Sequence, residues 1–381
     1  MSISPLSFLP AVSLPPTLAA KLSAVSVIAD FACSVADVTV AADISSDKGN
    51  ELCSLVLQLP QVLQKNEKVI TESIEAALIA DYSKVSVEFQ WMPTLPALSQ
   101  GREPIAGVKQ VIAVASGKGG VGKSTTAVNL ALALKVLGAK VGVLDADIYG
   151  PSQALMLGIE DKRPEILPGK RMIAIPSPHG VFAIGMGNLV SGNTPMAWRG
   201  PMATGALQQM LRQTDWPDLD YLIIDMPPGT GDIHLTLSQT VPVSGSVIVT
   251  TPQDIALLDA KKGIELFRKV NIEVLGVVEN MSVHTCSECG HSEAIFGEHG
   301  GDVLAQEYDT QVIGRLPLKL AIRQGADSGC PSVIADETSP ESLVYLAVAQ
   351  RVALQLFLNQ LKALVSDASS SSSPLMTESD D

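Results

Sequence analysis

Residues 111–115, 140–144, 221–224, 246–250 and 274–278 form short runs, from VIAVA to VLGVV, in which polar positions are scarce. Runs of this length without strict alternation suit strands buried on both faces. Segments with helical spacing separate them, beginning with residues 125–137. That order predicts an α/β fold with a mostly parallel sheet flanked by helices, with residues 311–316 as a further strand. A long amphipathic helix is predicted over 340–365, with Ser339 as its cap and Pro340 at its first position. Ahead of this, residues 38–42 and 85–91 alternate like strands and 62–78 space like a helix, which predicts a small α+β N-terminal domain. Three prolines and two glycines between 92 and 107 read as connection. The expected organisation is a domain over 1–95, a linker over 96–108, a large domain over 109–365, and a disordered serine-rich and acidic tail over 366–381.

Charge narrows the partners. Lys and Arg number 26 against 40 Asp and Glu, a net charge of −14. This balance, with no basic stripe, argues against nonspecific binding to nucleic acid or anionic lipid. No apolar run is expected to cross a bilayer, and the first residues lack the basic and apolar regions of a signal peptide. Five cysteines without such a signal point to the reducing cytoplasm, where paired thiols serve metals or redox chemistry.

Residues 117–124 read GKGGVGKS, between a predicted strand and a predicted helix. A glycine-rich loop in that setting turns backbone N–H groups toward phosphates, and the helix N-terminus adds partial positive charge. Gly117, Gly119, Gly120, Val121, Gly122, Lys123, Ser124 and Thr125 are therefore candidate ATP contacts, with Lys123 on the β- and γ-phosphates. A second lysine, Lys118, follows the first glycine. KGGxGK[ST] resembles the deviant phosphate loop of a subclass of dimeric ATPases, in which that lysine reaches the partner's nucleotide; the alternative is a solvated loop lysine.

Acids end two neighbouring predicted strands. Asp145 and Asp147 close LDAD, where a magnesium-bound water and the attacking water would sit, although both could simply cap a turn. Asp225 ends YLIID as a Walker B aspartate would, sharing Mg2+ with Ser124. Residues 226–232, MPPGTGD, make a stiff turn suited to sensing the γ-phosphate. Pro252, Gln253 and Asn280 follow later strands; Pro252 and Asn280 are candidates to flank base and ribose, or serve turn chemistry alone. Arg199 contacts phosphate, pairs across an interface, or stacks on Trp198.

Cys286 and Cys289 form C-x-x-C in a polar insertion, while Cys33, Cys53 and Cys330 stand alone. Two thiolates can chelate one metal or one edge of a cluster. Four-thiolate coordination would be complete if two chains met at a twofold axis. With His284, His291 and His299 nearby, a single-chain Cys2His2 zinc site is an alternative, as is a dithiol redox pair. The order GKGGVGKS, DADIYGPS, WRGPM, DMPPGTGD, TTPQDIALLDAKKGI, ENMSxxxCxxCG and IFGxxGG resembles the Mrp/ApbC-type iron–sulfur cluster carriers, of the MinD and ParA superfamily, over about residues 109–330. The resemblance implies a homodimeric ATPase that holds a labile 4Fe–4S cluster on Cys286 and Cys289 and delivers it to apoproteins, with Lys118 as signature lysine. It implies nothing specific for residues 1–60. Two rivals remain: a MinD- or ParA-type positioning ATPase, disfavoured by the acidic tail and net charge, and a P-loop enzyme with structural zinc.

Overall fold

The structure, a computed structural model, describes residues 14–27, 38–47, 50–97, 101–189, 200–229, 231–286 and 288–370. Two compact units divide the chain: residues up to Pro93 together with those from Ala353 onward, and Thr94–Val352.

In the first unit, β1 (Thr39–Asp47) runs antiparallel to β2 (Asn50–Pro60), and β3 (Lys84–Met92) lies parallel to β2 on its other side. Helix Glu67–Leu78 buries Ile70, Ile74 and Leu78 at i, i+4, i+8, one face of a helix. Alternate residues Cys53, Leu55, Leu57 and Leu59 of β2 are buried with them. The hydrophobic pattern does not predict this central strand. Its second half, Leu55 to Pro60, is too apolar to alternate visibly, and a six-residue 3-10 helix, Gln61–Asn66, replaces the first part of the predicted α-helix.

The second unit is built on strands β4 (Val108–Ala115), β5 (Val141–Asp145), β8 (Ile175–Pro176), β9 (Phe182–Gly185), β11 (Leu219–Asp225), β12 (Gly245–Thr250), β13 (Val274–Glu279) and β16 (Val312–Arg315). They make an eight-stranded sheet in the order β16-β13-β12-β4-β11-β5-β9-β8, parallel throughout except for β8 against β9. The predicted strands agree to within three residues at each end, while β8 and β9 are additions, β9 lying in the short apolar run 181–184 that the prediction leaves out. Two smaller sheets complete the unit. One comprises β6 (Ile166–Leu167), β7 (Arg171–Ile173) and β10 (Thr214–Asp215); the other is the hairpin of β14 (His284–Thr285) and β15 (Ser292–Glu293). Ile112, Ala113, Val114 and Ala115 of β4 and every residue of β5 and β12 are buried, as two covered faces require. Helices Lys123–Val136, Asp232–Thr240 and Asp254–Lys269 follow β4, β11 and β12 in the chain, and helix Gly200–Gln213 lies between β9 and β10.

Helix Pro340–Ser370 extends past the predicted end at 365, so residues 366–370 are helical rather than tail, and residues 371–381 lie outside the described residues. Its start is as expected: Ser339 Oγ accepts the Ser342 N–H at 3.3 Å, the bond an N-cap makes to the third helical residue. Contrary to the expectation that no run is long enough, Pro340–Leu364 is long and apolar enough by composition to span a bilayer, with mean hydropathy 1.3. Some 61% of its most apolar window is buried within the protein, as in a core helix.

Phe267, fully buried on helix Asp254–Lys269, packs edge-on against His234 with ring centroids 5.2 Å apart. Phe267→Ala should destabilise the second unit by about 3–5 kcal/mol, read as a lower denaturant midpoint of that unit's transition; a shift under about 1 kcal/mol would mean the site collapses around the smaller side chain.

Candidate functional site

The phosphate loop joins β4 to helix Lys123–Val136, and its glycines divide into two kinds. A Cβ on Gly117 would stand 2.1 Å from the Asp259 carbonyl oxygen, and one on Gly122 would stand 2.0 Å from Asn280 Nδ2. These two are glycine because neighbouring protein leaves no room. Gly119 and Gly120 would meet nothing within 4 Å, so the loop presents bare backbone on that side. Gly120 and Gly122 have φ of +83° and +88°, which suits glycine and turns successive N–H groups inward. The fourteen-residue helix begins here with its first-turn N–H groups unpaired within the helix. A chain bared of side chains at a helix N-terminus fits a polyphosphate. Val121 is buried beneath the loop and Lys118 is exposed at its rim.

Beneath the loop lies a buried polar cluster. Lys123 Nζ pairs with Asp225 Oδ1, the two side chains 6% and 0% exposed, and lies 3.2 Å from Ser124 Oγ. Asp225 Oδ2 accepts the Gln153 amide at 2.8 Å, and the same amide donates to the Ser124 carbonyl at 3.0 Å. Asp145 stands opposite Asp225 in the β5–β11 register. Burial first, then the Asp225 carboxylate, push Asp145 up to about 7; the Gln153 and Ser152 amides and Lys123 oppose that rise. Asp145 Oδ2 accepts the Ser152 and Gln153 N–H groups at 2.8 and 2.9 Å, and Oδ1 accepts that of Asp147 at 3.1 Å. Asp147 in turn accepts the Gly150 N–H at 3.2 Å. Both acids thus hold the turn after β5, the structural alternative stated above, while Asp147 stays partly exposed. Buried oxygens without a partner among the described residues, Ser152 Oγ and Gln153 Oε1, sit in this cluster. Such an oxygen-rich set, with Ser124 and Asp225 at its centre, fits a hard divalent cation such as Mg2+.

Two residues here carry no sequence signal. Gln153 bridges Asp225 to the phosphate-loop helix, yet a lone glutamine has no pattern to betray it. His234 is buried, with Nδ1 2.8 Å from the Gly229 carbonyl and Nε2 unpartnered among the described residues. Burial lowers its pKa, favouring the neutral ring that donates from Nδ1 to Gly229. The imidazole therefore staples the turn after β11, where Gly229 N–H also reaches the Ser116 carbonyl at 3.1 Å. Thr230 within that turn, and Trp198 and Arg199, lie outside the described residues.

Pro252 and Asn280 follow β12 and β13 at the same sheet edge. Asn280 does not stand free: its Nδ2 donates to the Val121 carbonyl at 2.8 Å, bracing the phosphate loop, and its N–H donates to Thr250 O at 2.8 Å. Pro252 is buried, its carbonyl oxygen beside Gly300.

The polar insertion after β13 is a hairpin, β14 and β15, with the cysteines in its turn. Cys286 N–H donates to the His291 carbonyl at 2.8 Å, and Gly290 N–H, from a glycine at φ +72°, donates to Cys286 O at 2.9 Å. The amides of Cys289 and Glu288 and the Cys289 thiol donate to Cys286 sulfur, holding its thiol below its ordinary range. Stabilised thiolate is the ligand form. Cys286 is half-buried and Cys289 exposed, both as free thiols. Among the described residues no three His, Cys, Asp or Glu groups cluster as a metal would need. The single-chain Cys2His2 site is accordingly not assembled; His299, at φ +62°, instead opens helix Gly300–Glu307 with Nδ1 3.3 Å from Asp302. Cys53 is buried in the first unit, Cys330 donates its N–H to Gly325 O at 2.9 Å, and Cys33 is outside the described residues.

An iron–sulfur cluster carrier protein of Pseudomonas fragi is 62% identical over 256 residues, covering 67% of this chain and 89% of its own. The iron–sulfur cluster carrier protein of Escherichia coli (strain K12) is 52% identical over 303 residues, covering 79% of this chain and 82% of its own. Among solved structures, a nucleotide-binding protein of Archaeoglobus fulgidus in complex with ADP superposes with a TM-score of 0.54 at 33% identity, covering 62% of this chain and 91% of its own. The family model for the ParA-class NUBPL iron-transfer P-loop NTPases matches residues 107–353, through both the phosphate loop and the cysteine turn. By that match, with relatives covered over most of their length, the chain belongs to the NUBPL iron-transfer family of P-loop NTPases.

Proposed function

We propose that this protein is an ATP-hydrolysing, cytoplasmic homodimer that carries a labile 4Fe–4S cluster between its subunits and hands it to apoproteins. The observation that carries the reading is the cysteine turn: two backbone amides donate to the Cys286 sulfur and lower its pKa, and the described residues bring two cysteine sulfurs there, one of them exposed. A second copy would complete a four-thiolate set. Transfer is then ligand exchange, in which a recipient's thiolates replace those of Cys286 and Cys289 without net electron transfer. The names of relatives on both sides of the family, bacterial carriers and the mouse transfer protein NUBPL, support the same cargo.

Nucleotide chemistry falls to the second unit. ATP would lay its β- and γ-phosphates on the loop, drawing Lys123 away from Asp225 to the charge that builds on the leaving oxygen. Ser124 and Asp225 would hold Mg2+, which when bound would neutralise charge building on the phosphates. Asp147, partly exposed on the turn that Asp145 fixes, would orient the attacking water. Pro252 would lie beside the base. Lys118 would reach the second subunit's nucleotide from the rim. Exposed Ile255 and Leu258, on the helix whose Asp259 abuts Gly117, offer apolar surface beside that rim for the second copy.

Anaerobic reconstitution with iron and sulfide should load about four irons per two chains, and Cys286→Ala or Cys289→Ala should lose that iron while keeping ATP affinity. Equal iron in the variants, or stoichiometric zinc without visible absorption in the parent, would reject the carrier reading. Lys123→Ala should cut the hydrolysis rate by about 100-fold or more without removing the cluster; simultaneous loss of both would mean the sites are inseparable. Lys118→Ala should lower turnover more than nucleotide affinity, and unchanged turnover would reject its action across the dimer.

A further inference from the structure

The cysteine hairpin leaves the sheet and returns to it at one point, and that point touches the phosphate loop. Asn280, directly after β13, donates Nδ2 to Val121 O at 2.8 Å, and it crowds Gly122 so closely that a Cβ there would stand 2.0 Å from the same nitrogen. The Val121–Gly122 peptide therefore cannot turn without displacing Asn280. On its other side Asn280 is held by its N–H to Thr250 O in β12.

From Asn280 the chain runs outward as a continuation of the β13–β16 pairing. Ser282 donates both N–H and Oγ to Leu316 O, at 3.0 and 3.1 Å, Leu318 N–H donates to Val283 O at 2.8 Å, and His284 bridges to Leu318. Cys286 follows two residues later, six residues from Asn280 and within about 20 Å of extended chain. The hairpin is thus rooted by a ladder rather than by free loop.

Its return is anchored on the preceding residue. Glu279 is buried, Oε2 accepting the Gly301 N–H at 2.6 Å and Oε1 facing Arg315 Nε at 3.5 Å. A Cβ on Gly301 would lie 2.8 Å from that Oε2, so this contact is also close-packed. Both ends of residues 281–299 therefore hang from one dipeptide at the end of β13.

We propose that Glu279 and Asn280 are positioning residues that transmit nucleotide occupancy of the phosphate loop to the geometry of the Cys286–Cys289 turn. A carboxylate and an amide clamp the hairpin at both ends, and only the amide touches the loop. A peptide rotation at Val121–Gly122 is passed to the ladder and so to the sulfur positions. The coupling rests on the carrier reading for what the hairpin holds, and on these contacts alone for the link. Being a coupling of free energies, it is reciprocal: a loaded hairpin should change ATP affinity by the same factor by which ATP changes the hairpin's hold on its cargo.

Hydrogen–deuterium exchange of the full chain, with and without saturating ATP and Mg2+, tests this independently of any cluster. In the parent protein ATP should change exchange both at residues 117–125 and, by at least about fivefold, at residues 281–293. In Asn280→Ala, at ATP concentrations raised to saturate it, the phosphate-loop response should remain while the hairpin response falls below about a third of the parent's. Glu279→Ala touches no phosphate-loop atom and should lose the response of residues 295–303; it decides the matter if Asn280→Ala no longer binds ATP. A parent hairpin blind to ATP, or full hairpin responses in both variants, would overturn the coupling. A responsive hairpin in a protein that takes up no iron would reject the carrier reading and leave the coupling standing.

Discussion

The ion pair between Lys123 and Asp225 organises the second unit. Both groups are almost fully removed from water, and removing charges from water costs several kcal/mol for each ion unless a partner and further hydrogen bonds offset it. Here the offset is built from three elements: the first turn of the phosphate-loop helix supplies the cation, β11 the carboxylate, and Gln153 the amide on its second oxygen. Asp145, alongside in β5, shares the low-dielectric setting, and its burial and the Asp225 carboxylate push its pKa up. A polyphosphate and a divalent ion are the pair of ligands able to take over both ends of such an ion pair at once. Anion without cation would strand Asp225; cation without anion would repel Lys123.

Around that pair the site has two textures. The phosphate loop is clamped by close backbone contacts at Gly117 and Gly122, so its shape is imposed by the protein before any ligand arrives. The cysteine turn is stapled locally, through Cys286, His291 and Gly290, and its second sulfur is exposed. Rigid geometry suits charge stabilisation, whereas release of a bound cargo needs ligands that a competitor can reach.

How much of this was legible depends on whether a function leaves a pattern. The phosphate loop and the acidic strand ends are visible because glycine spacing and apolar runs ending in Asp are patterns in themselves. The parallel strands are visible because two-sided burial forbids polar positions. Gln153 and His234 are invisible, being single polar residues: Gln153 takes its value from partners distant in sequence, Ser124 and Asp225, and His234 from a carbonyl five residues back, a spacing that is no recognised pattern. Asn280 was visible as a strand-end residue, but its bond to Val121 is a tertiary fact. The central strand β2 is hidden by its own apolarity, and the short β8 and β9 by their length. The stretch 340–364 shows the opposite failure, since its composition alone does not separate a core helix from a membrane span; burial does.

The division of the chain has a consequence for biosynthesis. The unit formed by the first residues also contains those from Ala353 onward, including buried Leu354 and Phe357. Ribosomes deliver the N-terminus first, and domains commonly fold as they emerge. This one must wait, incomplete, while the whole nucleotide-binding unit is translated. β2 and helix Glu67–Leu78 are thus made long before the last residues of their unit, and truncation at the C-terminus would remove part of the unit that the first residues form.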